Sequence, residues 1–105
     1  MAQIPRKIME TINKYLDALK SNNIPLQEAI LFGSYARGNQ QEWSDIDIAL
    51  VSTSFKGNRI EDKDTIRKIT LSVSSEIEVI PFSPNDFNLQ NPLAKEIIQT
   101  GIKLL

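Results

Sequence analysis

Residues 29–51 read Ala-Ile-Leu-Phe-Gly-Ser-Tyr-Ala-Arg-Gly-Asn-Gln-Gln-Glu-Trp-Ser-Asp-Ile-Asp-Ile-Ala-Leu-Val, and two strands are legible in them. Leu26 to Phe32 ends in a solid apolar run, which suits a buried strand. Asp45 to Val51 alternates, with Ile46, Ile48 and Leu50 on one face and Asp45, Asp47, Ala49 and Val51 on the other. Between the strands, Gly33-Ser34 leads into a helical turn, Tyr35-Ala36-Arg37, closed by Gly38. A polar loop from Asn39 to Ser44 follows, with Trp43 as its one large apolar residue and loop packing as its expected role. This connection is short and partly irregular, so a parallel crossover between the two strands is not expected.

Working outward, Ile8, Ile12, Tyr15, Leu16 and Leu19 recur at helical spacing behind Pro5, which suits a first turn. Ser21-Asn22-Asn23 and Pro25 stop that helix. After the connection Ser52 to Arg59, a second amphipathic helix is expected over Glu61 to Ser74, with Ile66, Ile69 and Val73 inward and Asp62 as a start signal. Glu76 to Phe82 reads as a third strand with Glu76, Glu78 and Ile80 on one face. Asn91-Pro92 caps a last helix through Leu93, Ile97 and Ile98, stopped by Gly101. Ile102 to Leu105 is either a short edge strand or a tail on the core. Helices alternate with strands, so the class is α/β (α+β): a small mixed β-sheet with helices packed against it, in a single domain over 1–105.

Composition removes whole classes of chemistry. Without Cys there is no disulfide or thiolate nucleophile, and without His no Ser-His-Asp triad or imidazole base. A metal ion would have to be held by oxygen, which points to Mg²⁺, Mn²⁺ or Ca²⁺. The 12 basic and 13 acidic residues leave a net charge of −1, which disfavours direct nucleic-acid binding through phosphate contacts. The longest apolar runs, Ala29–Phe32 and Ile48–Val51, span no bilayer, and no apolar region follows the basic start. A cytoplasmic location with no membrane contact is therefore expected.

Three groups of residues carry chemistry. Asp45 and Asp47 leave their strand on the same side, with Cα atoms about 6.6 Å apart, twice the strand rise. Their mutual repulsion would be relieved by a divalent cation, or by water at a frayed strand start. Gly33-Ser34 at a strand end offers backbone N–H groups and a hydroxyl to an anion such as phosphate, with Arg37 one turn later; plain capping by Ser34 is the alternative. The Walker pattern is absent, and Ile46 and Ile48 stand where an EF-hand needs ligands. Glu78, between Ile77 and Val79, is a strand acid that is partly buried or at the mouth of a site.

Together, Gly33-Ser34, Asp45-Ile46-Asp47 and Glu78 resemble the nucleotidyltransferase superfamily that includes DNA polymerase beta and kanamycin nucleotidyltransferase. The strings Leu31 to Gly38 and Ser44 to Leu50 look most like its minimal nucleotidyltransferases. The resemblance covers nearly the whole chain. It implies the polymerase beta-like fold, with Asp45, Asp47 and Glu78 as metal ligands and catalytic acids. It also implies Gly33, Ser34, Arg37 and Ser44 as nucleotide contacts, Mg²⁺ (or Mn²⁺) as cofactor and ATP as substrate. The implied role is an antitoxin that transfers AMP to a tyrosine of a HEPN-domain ribonuclease toxin. Two other readings remain: the same fold binding toxin or nucleotide without turnover, and nucleotidylation of a small molecule such as an antibiotic. The second of these usually takes a further acceptor-binding domain.

Overall fold

The computed structural model describes residues 4–41 and 44–105; Trp43 and the packing expected of it lie outside them. Helix α1 (Arg6–Ser21) buries Ile12, Tyr15, Leu16 and Leu19, the stripe expected from their spacing. Pro5 stands one position outside the helix, as its N-cap, where its carbonyl accepts from the Ile8 and Met9 N–H groups. At the other end Asn23 takes a left-handed φ of 62°. The Ile24 N–H then reaches back to the Leu19 carbonyl and the Asn23 N–H to Lys20. This is a Schellman closure with Asn where Gly is commoner, since a short polar side chain tolerates that backbone region.

Strand β1 (Glu28–Phe32), the short helix α2 (Ser34–Arg37) and strand β2 (Ile46–Val51) follow. Helix α3 (Arg59–Val73) leads to strand β3 (Ile77–Phe82), then helix α4 (Pro92–Thr100) and strand β4 (Ile102–Lys103). The sheet order is β3-β2-β1-β4. β1 is antiparallel to β2 and β4, while β2 and β3 are parallel, joined by the one connection with a helix long enough to cross. The sheet is thus mixed, as expected, and the C-terminal segment is an edge strand, continued by the Leu104 N–H to the Ala29 carbonyl at 2.7 Å.

The two faces of β2 carry separate cores. Ile46, Ile48 and Leu50 pack with α1, α3 and Tyr35 of α2. Ala49 and Val51 pack on the opposite side with Phe82, Phe87, Ala94 and Ile97, under α4. Asn91 caps α4, accepting from the Leu93 and Ala94 N–H groups ahead of Pro92. Ile98 faces outward. β3 is the opposite edge, and its ladder to β2 turns the backbone groups of Ile77, Val79 and Pro81 away from the sheet. Pro81, which has no N–H, interrupts that free edge.

The start of α3 differs from the expectation. Asn58, not Asp62, is the cap: its side chain accepts from the Ile60 and Glu61 N–H groups, so the helix begins two residues earlier than read. Asp62 lies inside the first turn, 2% exposed, and both its oxygens turn back to the preceding loop. They accept from the Lys56 N–H at 2.9 Å and the Gly57 N–H at 3.0 Å. An Asp near a helix start satisfies either pattern, and only the loop's path decides between them. Asp62→Asn should lower stability by about 1–3 kcal/mol despite its equal size, because an amide can accept only one of the two N–H groups and sets a donor against the other. Urea unfolding would measure it, and an unchanged midpoint would contradict the buried pairing.

Tyr15 ties α1 to α3. Thr70 Oγ1 gives its single proton to the Ile66 carbonyl at 3.0 Å, so the Tyr15 hydroxyl donates to Thr70 Oγ1 at 2.7 Å. Burial pushes the Tyr15 pKa up to about 12, with the Thr70 hydrogen bond working against that rise.

Candidate active site

The sheet brings the motif residues into one row. Phe32 at the end of β1 pairs with Asp47 of β2, and Asp47 pairs on its other side with Glu78 of β3. Asp47 shares its face of β2 with Ala49 and Val51, the residues that pack under α4, and so lies on the opposite side of the sheet from Ile46 and Ile48. Asp45 stands just before β2 and is exposed; the ladder to β3 reaches as far as the Ile46 N–H, which donates to the Glu76 carbonyl at 2.8 Å.

Gly33 follows Phe32 with φ 74° and ψ −150°, a backbone region essentially restricted to glycine. A Cβ there would also collide with Asp47 Oδ2 and stand 3.0 Å from its Cγ. Backbone and neighbour both exclude a side chain, and the space left free is filled by the Asp47 carboxylate. Gly33→Ala should therefore displace Asp47 and strain the turn by about 1–3 kcal/mol. Nucleotide affinity and melting temperature should fall together; a variant that keeps both would show that the close approach is dispensable.

Ser34 opens α2, whose first N–H groups have no acceptor within so short a helix. Gly33, not Ser34, occupies the N-cap position of α2, so the capping alternative read for Ser34 does not hold. Gly38, left-handed at φ 77°, closes the helix as read from the sequence. Ser44 ties off the loop before β2, its Oγ accepting from the Gln41 N–H at 2.7 Å.

The electrostatics centre on Asp47. Partial burial raises its pKa above the usual carboxylate value, the charges of Asp45 and Glu78 raise it further, and Arg37 works against them. The like-charge cost inferred from the sequence is therefore present. Glu78 is exposed at the sheet edge rather than partly buried, and its Oε1 accepts from Lys63 Nζ at 2.7 Å. Among the described residues, no three acidic side chains converge as a ready-made metal cluster. Lys63 was not legible as part of the site: its partner lies 15 residues away on another element, and no local pattern marks that pairing.

The donor set still fits a hard cation. Asp45 and Asp47 are oxygen donors two residues apart at the start of β2, and the proton affinity of Asp47 is raised first by burial and then by the charges of Asp45 and Glu78, against which Arg37 works. Residues 12–104 match the family model of the nucleotidyltransferase domain. The chain belongs to that family. Among similar nucleotidyltransferases, MJ1305 of Methanocaldococcus jannaschii is 37% identical over 82 residues, 72% of this chain and 55% of that protein. The protein adenylyltransferase MntA of Shewanella oneidensis is 34% identical over 92 residues, 88% of this chain and 63% of MntA. The chain thus spans a little over half the length of these relatives. A crystal structure of a toxin–antitoxin with AMP-PNP superposes with a TM-score of 0.63 at 30% identity, covering 89% of this chain and 71% of that one. Among the described residues, no helix of the chain is long and apolar enough to cross a membrane.

Proposed function

We propose that this chain is a divalent-metal-dependent nucleotidyltransferase that moves AMP from ATP to a hydroxyl of a partner protein, and that it acts as an antitoxin. One arrangement carries the reading: Asp47 has Glu78 in register beside it, Asp45 two residues before it, and the bare backbone of Gly33 against its carboxylate. Similarity to MntA, a protein adenylyltransferase, supports a protein acceptor. Similarity to a toxin–antitoxin with AMP-PNP supports ATP as donor and a toxin as partner. A tyrosine of a HEPN-domain toxin is the acceptor in this reading, and residues 1–105 form one nucleotidyltransferase domain.

Asp45 and Asp47, joined by Glu78, would hold Mg²⁺ or Mn²⁺. When bound, such ions stabilise charge on the attacking and leaving oxygens of an in-line displacement at the α-phosphate. The chain supplies the rest. The free N–H groups at the start of α2, with the Ser34 hydroxyl, bind phosphate oxygens, and Arg37 adds positive charge one turn later. Ser44 holds the loop that delivers Asp45. Glu78, at the exposed edge where an acceptor can approach, takes the proton of the attacking hydroxyl as well as serving as a ligand.

ATP radiolabelled at the α-phosphate tests the reading, with Mg²⁺ and a co-purified toxin partner. Label should enter the partner in Mg²⁺ and not in chelator. Neutralisation of the toxin without any transfer of label would select the binding-module reading of the same fold.

A further inference from the structure

We propose that Lys63 is a built-in competitor of the divalent cation: it holds the Glu78 carboxylate at the outer edge of the sheet and yields it when an ion binds. The inference rests on the metal site proposed above.

Asp47 and Glu78 are register partners on parallel strands, so their Cα atoms lie about 5 Å apart on the same face. That spacing would let Asp45, Asp47 and Glu78 share one ion. Yet among the described residues no three acids converge, and Glu78 instead meets Lys63 at 2.7 Å. Lys63 belongs to α3, which packs on the face of the sheet opposite Asp47, so its side chain reaches Glu78 around the β3 edge. A groove of about 280 Å³ runs along this edge, lined by Lys63, Arg67, Leu71, Glu78 and Val79. The other cation in it, Arg67, is already paired with Asp64 at 2.7 Å. Among the described residues, the Glu78 carboxylate therefore has Lys63 as its ion-pair partner, reaching it from the α3 side of the sheet.

Both partners are about half exposed, at 43% and 54%. A pair of this kind changes an equilibrium by about two- to five-fold, which a divalent ion held by two further carboxylates can readily overcome. Lys63 thereby sets how much cation the site requires.

Manganese titration followed by electron paramagnetic resonance, with no nucleotide present, tests this directly. Lys63→Met should bind Mn²⁺ about two- to five-fold more tightly than wild type, while Lys63→Arg, which keeps the charge and reach, should match wild type. In a Glu78→Gln background the same Lys63→Met change should have little effect. Unchanged or weaker binding by Lys63→Met overturns the proposal, as does equal tightening in the Glu78→Gln background, which would reduce Lys63 to a distant charge. Asp47→Asn separates the two readings. If it loses Mn²⁺ while Lys63→Met equals wild type, the competition alone is wrong; if it binds Mn²⁺ like wild type, the metal site itself is wrong and the competition falls with it.

Discussion

Asp47→Asn should abolish nucleotidyl transfer and at the same time raise the melting temperature at pH 7. The stability gain follows from the raised pKa of Asp47, caused first by burial and then by Asp45 and Glu78. Below the ordinary value of 3.8, Asp47 is protonated both folded and unfolded and costs nothing. As pH rises from there to the raised folded value, the unfolded chain releases its proton before the folded one does, and stability falls. Above the folded value the whole cost persists, so it is present in full at neutral pH. An amide carries no such charge. The difference in melting temperature between variant and wild type should thus be positive at pH 7 and close to zero below pH 3.8. The loss of transfer should reach ~10²-fold or more, the usual penalty for removing one electrostatic support of a transition state. Scanning calorimetry across pH checks the first part. A variant less stable than wild type at pH 7 would mean that Asp47 is a structural partner, with Arg37 as the cation that works against its raised proton affinity.

The second large effect is expected at Glu78. Glu78→Gln should still bind Mg²⁺ and ATP, since Asp45, Asp47 and the triphosphate oxygens retain most of the ligands. Transfer should nevertheless fall ~10²–10⁴-fold, the range for a lost general base. Folding should be nearly indifferent, because the carboxylate is exposed and its partner Lys63 is free to meet water. Isothermal titration with ATP and Mg²⁺, set beside the labelling assay, separates binding from chemistry. Neutralisation of a co-expressed toxin provides the biological measure. If the variant protects cells as well as wild type does, the protein works by docking, and the enzymatic reading is lost.

Much of the fold was legible because short-range physics decides it. The stripe Ile12, Tyr15, Leu16 and Leu19 has one way to be buried, and it is buried that way. The alternation through β2 separates Ile46, Ile48 and Leu50 from Ala49 and Val51, and each set lies in its own core. Asn91-Pro92 and Gly38 act as cap and stop where they were read. Boundaries were less legible because competing local signals are nearly equal in energy. Asn58 and Asp62 are both plausible starts for α3, and the loop at Lys56 and Gly57 settles the matter by taking both Asp62 oxygens.

By itself, the sequence determined the absence of His and Cys chemistry, the placement of two acids on one side of a strand, and a Gly-Ser turn at the end of another. These depend on residue identity and on a strand period of two. Only the tertiary structure decided that β3 lies beside β2 in the register that sets Glu78 next to Asp47, and that Gly33 needs its missing side chain because Asp47 fills the space. It alone decided that Lys63 reaches around the sheet edge to hold Glu78. Strand register and cross-element ion pairs arise from packing between segments distant in sequence, where no local spacing records which side chains meet.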